Sequence, residues 1–265
     1  MSAKIITFGI QKGGCGKSTT SGIISYFLSQ NGYKVLAVDM DSQGNMTDLL
    51  TGLDTEEFEG KTVLEAIVEE DASPYIYQIA ENLHILPSDD YLATLARYLY
   101  GVVKGVNLHP SLALHHVLEK VRDQYDYIII DTPPSLSEPL INSVCASDYV
   151  LIMAESSKWA YDAIPRFIET VQAAKMNYVP HLEILGILRT MNDARRADSK
   201  AFVELIGETH PDLVFDTIIK RKASTGRVAI DGLYDNKEFN EAVKQYRDFY
   251  KELMERVGAA AGSKQ

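Results

Sequence analysis

KIITFGIQKGGCGKSTT, residues 4–20, is the stretch on which the fold turns. Its first seven residues form an apolar run with no polar alternation, the pattern of a strand buried on both faces. The next six are small and glycine-rich, and a helical pattern runs from about 17 to 30. A strand that passes through glycines into a helix turns backbone N–H groups inward, where they cradle phosphate. The start of the helix adds the positive end of its dipole. In that setting Lys17 reaches the β- and γ-phosphates and the Ser18 hydroxyl is placed to bind Mg²⁺. Thr19 is placed for the α-phosphate. The common pattern GxxxxGK[ST] fails by one residue, because Gln11 stands at its first glycine. An additional lysine, Lys12, opens the loop that continues through Gly13, Gly14, Cys15 and Gly16.

Outward from this loop, short apolar runs alternate with helical patterns. Strands are predicted at YKVLAVD (33–39), in two short pieces within 75–86, and at YDYIIID (125–131). Others fall at DYVLIMA (148–154), LEILGIL (182–188) and VFDTII (214–219). Helices are predicted over TVLEAIVEE and near 89–100, 110–123, 158–176, 198–209 and 237–257. Strand and helix in alternation predict an α/β fold, a doubly wound and mostly parallel sheet with helices on both faces. No repeat or low-complexity linker divides the chain. Residues 1–257 read as a single domain, and GAAAGSKQ (258–265) as a flexible tail.

Composition narrows the class. Of 265 residues, 46% are hydrophobic and 24% charged, which excludes disorder as the dominant state. Asp and Glu number 37 against 26 Lys and Arg, so a wholly basic nucleic-acid coat is excluded but a local basic patch is not. Nine acids and one base fall within 48–71, an acidic solvated surface. Cys15 and Cys145 form no CxxC pair and no disulfide framework, which favours a reducing cytosol. No apolar run approaches the ~20 residues that span a bilayer.

Two further strands end in carboxylates. VLAVDMDSQGN (35–45) closes on Asp39 and Asp41, and YDYIIIDTPPSL (125–136) on Asp131. The C-terminal ends of parallel strands face the ligand crevice. Carboxylates there can orient Mg²⁺, its waters and an attacking water.

KGGCGKS resembles KGGxGK[ST], the deviant Walker A motif of the ParA/MinD superfamily of ATPases. DMDSQGN is similar to that family's DxDPQGN, with Ser42 for its proline, and DTPPSL to its DxPPSL. The resemblance implies that Lys12 crosses a dimer interface to the partner's nucleotide, and that Lys12, Lys17 and Asp41 are catalytic. It implies ATP held by Lys12, Gly13, Gly14, Cys15, Gly16, Lys17, Ser18 and Thr19, and Mg²⁺ by Ser18, Asp39 and Asp131. No [NT]KxD segment for guanine appears, so ATP is expected rather than GTP. Neither cysteine fits the cluster or CxxC positions of other superfamily branches. Asn142 matches a common family position, without an assigned chemistry.

Within the superfamily, RTMNDAR (189–195) and TIIKR (217–221) resemble segments through which ParA proteins contact DNA. With their neighbours they make Arg195, Arg196, Lys220, Arg221, Lys222 and Arg227 the candidate DNA-binding residues. Lys220 replaces a family proline, which leaves contact with adenine by this turn in doubt. The alternative is a MinD-like membrane-associated regulator or a cargo-positioning relative. MinD proteins bind membranes through a basic amphipathic last helix. Here Phe239, Val243, Tyr246, Phe249, Leu253 and Val257 recur at helical spacing, and residues 237–257 carry five bases and five acids, so this helix is expected to pack on the core. No helix-turn-helix precedes the first strand, which implies the smaller partition type. The expectation is therefore a cytoplasmic, nucleoid-associated ATPase for plasmid or chromosome partition. It would dimerise with ATP, bind duplex DNA without sequence preference, and be stimulated by a ParB-type centromere-binding protein, with no membrane partner.

Overall fold

The computed structural model describes residues 2–102, 109–193, 197–221 and 237–262. Eight strands form one sheet: β1 (Lys4–Gly9), β2 (Val35–Asp39), β3 (Tyr77–Ala80), β4 (Leu83–Leu86), β5 (Tyr127–Asp131), β6 (Tyr149–Glu155), β7 (Glu183–Asn192) and β8 (Val214–Lys220). Their order is β3-β4-β2-β5-β1-β6-β7-β8, and every neighbouring pair is parallel except β3 with β4. This is the doubly wound α/β class expected from the alternation. The central strands β1, β2 and β5 are buried almost throughout, which accounts for their lack of polar alternation.

Helices α1 (Lys17–Gln30), α2 (Asn45–Thr51), α3 (Val63–Val68), α4 (Leu95–Arg97) and α5 (Ala113–Glu119) lie in the first half. They are followed by α6 (Glu138–Cys145), α7 (Lys158–Asn177), α8 (Ala197–Thr209) and α9 (Lys237–Gly262). Two apolar cores result. One packs α1, α6, α7 and α9 against residues such as Ile6, Phe8 and Ile129. The other packs α3 and α5 against the alternate residues Ile5, Leu36, Ile128 and Ile130. The two-residue period of β1 and β5 thus feeds both layers.

Three expectations change. The helix predicted near 89–100 is instead a 3₁₀ turn (Asp90–Thr94), the single turn α4 and a π turn (Tyr98–Val102). Tyr98, Tyr100 and Gly101 are weak helix formers in close succession, and a regular helix is not propagated. Strand β7 runs to Asn192 rather than 188, because Glu155 and Lys220 on its two neighbours continue to pair with Thr190 and Asn192. The tail from 258 is helical through Gly262, since three consecutive alanines extend α9 at low entropic cost.

Helix α9 packs on the core as its charge balance predicted. Val243, Tyr246, Phe249, Leu253 and Val257 are all buried. Phe249 meets Phe215 of β8 edge-on at 5.2 Å, and Tyr250 meets Phe27 of α1 at 5.9 Å. Arg256 lies 4.0 Å over the Phe215 ring. Fully burying each large apolar side chain stabilises the fold by about 1.5–3 kcal/mol, so this face is committed inward. Among the described residues, no helix is long and apolar enough to cross a membrane.

Candidate nucleotide site

The loop between β1 and α1 sits at the C-terminal end of the central strand, flanked by the ends of β5 and β6. Gly14 and Gly16 both hold φ near +75°, the left-handed region that glycine enters without steric cost. At Gly16 a side chain would also meet the Met191 methyl at 2.6 Å. Gln11, in place of the usual glycine, turns its amide aside to donate to Thr170 of α7 at 3.3 Å. The loop walls a cavity of about 350 Å³ together with Lys17, Ser18, Thr19, Asp41 and Pro134. A cavity at a helix N-terminus, lined by loop N–H groups, is an anion site.

Two lysines face this loop differently. Lys17 is buried, and its Nζ donates to the Lys12 carbonyl at 2.9 Å. Lys12 is partly exposed, and its Nζ donates to the Glu155 carboxylate at the end of β6. Among the described residues, an added Cβ at Gly13 would meet only the Pro134 side chain, at 3.7 Å, an ordinary contact. The chain's own packing therefore does not require glycine at this position. Cys15 is buried and burial raises its thiol pKa, so a redox role gains no support. Cys145 is a buried residue of α6, its thiol pushed up to about 11.

The three aspartates converge as their strand ends predicted, but with different partners. Asp39 and Asp131 are in register on β2 and β5, and both are fully buried. The Asp39 carboxylate accepts from the Thr47 N–H and hydroxyl, each at 2.9 Å, and from the Asp41 N–H at 3.1 Å. Two of its roughly four lone-pair positions thus fasten the start of α2, and a third holds the turn after β2 at Asp41. Asp131 is the opposite case: neither carboxylate oxygen accepts a well-formed hydrogen bond among the described residues, and the nearby Ser18 hydroxyl and Lys17 ammonium only draw on it. Burial raises the pKa of both groups, and mutual repulsion adds to it at Asp131, against the pull of Ser18 and Lys17. A buried carboxylate with no well-formed hydrogen bond, beside a second one and a serine hydroxyl, is a donor set that fits a hard divalent cation. Asp41 lies on the cavity wall, and its carboxylate accepts from the Gln43 N–H at 3.1 Å.

A family model described as an AAA domain matches residues 3–184. Over 257 residues the chain is 33% identical to the sporulation initiation inhibitor protein Soj of Bacillus subtilis, covering 94% of this chain and 98% of that one. The chain is a ParA/MinD-type P-loop ATPase. A plasmid partition protein from Borrelia burgdorferi, solved bound to AMPPNP, superposes with a TM-score of 0.74 at 28% identity, over 96% of this chain and 98% of that one. Cobyrinic acid a,c-diamide synthase from Mycobacterium smegmatis, solved with an ATP analogue and magnesium, has a TM-score of 0.75 at 28% identity, over 86% and 91%.

Of the candidate DNA-binding residues of this ATPase, Lys220 ends β8 and Arg221 follows it, both exposed. The Lys220 backbone is clamped to the Gln245 amide of α9, at 3.0 and 3.2 Å. Arg195, Arg196, Lys222 and Arg227 lie outside the described residues. Asn142 is structural: buried in α6, it accepts from the Leu114 N–H and donates to the Pro110 and Glu138 carbonyls.

Sequence reasoning missed three residues at this site. Thr190 donates its hydroxyl to the Cys15 carbonyl at 2.8 Å, and Met191, itself at φ +53°, covers Gly16. Both lie on the unpredicted extension of β7. Glu155 was findable, because it is an acid at the C-terminal end of a strand beside β1, the rule that located Asp39 and Asp131.

Proposed function

We propose that this chain is a partition ATPase of the ParA kind, which dimerises with ATP and Mg²⁺, binds duplex DNA without sequence preference, and is reset by hydrolysis. A ParB-type centromere-binding protein would stimulate that hydrolysis, and the DNA-bound dimer would be found on the nucleoid. The observation that carries the reading is the pairing of Lys12 with Gly13. Lys12 stands at the rim, and Gly13 is a glycine that the protomer's own packing leaves unexplained. A close approach from outside the chain supplies the explanation, since a Cβ would stand in the way of a partner's backbone.

In this reading the N–H groups of residues 13–19 and the Lys17 ammonium bind the phosphates, with the dipole of α1 aligned to them. Ser18 and Asp131 would hold Mg²⁺, with Asp39 beside them anchoring α2. The ion would neutralise phosphate charge and draw off the charge now crowded on Asp39 and Asp131. Asp41 would orient the attacking water. The MinD-like alternative loses support from α9, whose apolar face is buried against β8 and α1.

Sedimentation with ATP and Mg²⁺ tests the reading. Wild type should dimerise with ATP, whereas Gly13→Val should bind ATP and stay monomeric. Asp41→Ala should bind ATP and accumulate as dimer with hydrolysis abolished. An ATP-dependent dimer in Gly13→Val, or wild-type turnover in Asp41→Ala, overturns the assignment.

A further inference from the structure

The geometry points to Glu155 as a latch: one carboxylate that holds Lys12 on its own protomer and ties Arg221 to the same place. This rests on the partition reading for what Lys12 and Arg221 do, but not for the contacts themselves.

Glu155 ends β6, the strand next to β1, and its side chain is only 19% exposed. One carboxylate oxygen accepts from Lys12 Nζ, and the other lies 3.8 Å from Arg221 Nη2. Arg221 reaches it from beyond the end of β8, two strands away in the sheet. The two cations come from segments more than 200 residues apart in sequence, and each has its own expected task. Lys12 is to reach a partner's nucleotide, and Arg221 a DNA phosphate.

An ammonium paired with a carboxylate is unavailable to a phosphate, and breaking the partly buried Lys12 pair carries a cost, whereas Arg221, 61% exposed at 3.8 Å, is held by the weaker pull of an exposed pair. Glu155 therefore opposes both tasks at once. It keeps Lys12 in place until the denser negative charge of a nucleotide outcompetes it, and it lowers the positive potential at Arg221. Because both cations share one acceptor, the state of the phosphate loop reaches the basic segment after β8 through a single side chain. Glu155 is thus a positioning residue, acting through Lys12 and Arg221 without touching the nucleotide.

The experiment uses the full chain with Glu155→Gln and Glu155→Asp, checked for wild-type folding by circular dichroism. The first readout is the acylation rate of the Lys12 amine without nucleotide, followed by mass spectrometry. Freed from its carboxylate, Lys12 should react about two- to fivefold faster in Glu155→Gln. Glu155→Asp keeps the charge but withdraws it by one methylene, and should give a smaller rise. The second readout is the ATP concentration for half-maximal dimerisation, which should fall in Glu155→Gln, while DNA retention without nucleotide should rise. Unchanged Lys12 reactivity in both variants overturns the latch. So does a folded Glu155→Gln that needs more ATP to dimerise, since Glu155 would then be serving the assembled dimer. A wild type that never dimerises with ATP overturns the partition reading instead, and leaves the Lys12 acylation rate to decide the latch alone.

Discussion

Asp131 shows at the scale of one residue how this fold trades stability for a binding site. Its carboxylate is fully buried, accepts no well-formed hydrogen bond among the described residues, and faces Asp39. Its pKa in the folded chain lies above the roughly 3.9 of an unfolded aspartate, so the folded state binds the extra proton. The associated stability is full below about pH 3.9 and is lost as pH rises through the folded value. Asp131→Asn carries no charge to bury. Without nucleotide it should therefore be more stable than wild type at pH 8, by at least about 1 kcal/mol, or about 2–4 °C in Tm. The advantage should shrink toward pH 4, and ATP hydrolysis should be lost at every pH. Thermal unfolding at the two pH values, with a phosphate-release assay, checks it; an advantage over wild type no larger at pH 8 than at pH 4 would remove the electrostatic account. Both the position and the identity of this aspartate were legible in YDYIIIDTPPSL, because a strand-end acid in a parallel sheet points into the crevice. Its lack of well-formed hydrogen bonds was not legible, since that depends on which groups from β2 and α1 come near it.

At the scale of elements, α9 and β7 answer opposite questions. The spacing of Val243, Tyr246, Phe249, Leu253 and Val257 marked one apolar face, and the charge balance said that face was for packing rather than for lipid. What it packs on, β8 and α1, could be learned only from the folded chain. Phe249→Ala leaves a cavity against Phe215 and should cost about 3–5 kcal/mol, read from the urea midpoint. A midpoint within experimental error of wild type would mean that α9 is not part of the core. Strand β7 went the other way: Arg189 and Thr190 broke the apolar run LEILGIL, so the extension was invisible. Pairing with strands on both sides supplies the hydrogen bonds that make polar residues acceptable in a strand. Through that extension Thr190 and Met191 brace the phosphate loop.

For the whole molecule, the proposed DNA binding poses the question of how a chain of net −11 would meet a polyanion. The acids concentrated within 48–71 belong to the segment between β2 and β3, with Asp48 on the wall of the nucleotide cavity, whereas Lys220 and Arg221 stand at the end of β8. Dimerisation would double the Lys220 and Arg221 pair. DNA affinity of the ATP-bound dimer should fall with salt at a log–log slope of about −0.9 per phosphate neutralised. Arg221→Ala should weaken binding to all sequences alike and flatten the slope by roughly one unit for each phosphate it no longer neutralises. Co-sedimentation across a salt series, on random-sequence DNA and in parallel on anionic liposomes, measures this. Retention on liposomes alone would favour the MinD-like alternative.

The sequence by itself determined the class of this protein. Apolar runs without alternation dictate buried parallel strands, and KGGCGKS between strand and helix dictates a phosphate cradle, because both depend on local geometry and on residues adjacent in the chain. Tertiary structure alone decided which charges are paired. Asp39 is spent on Thr47, Asp131 is left without a well-formed hydrogen bond among the described residues, and Glu155 gathers Lys12 and Arg221 from segments far apart in the chain. Such pairings depend on strand order, and strand order is set by how helices cover both faces of the sheet, a property of the whole packing that no local stretch of residues encodes.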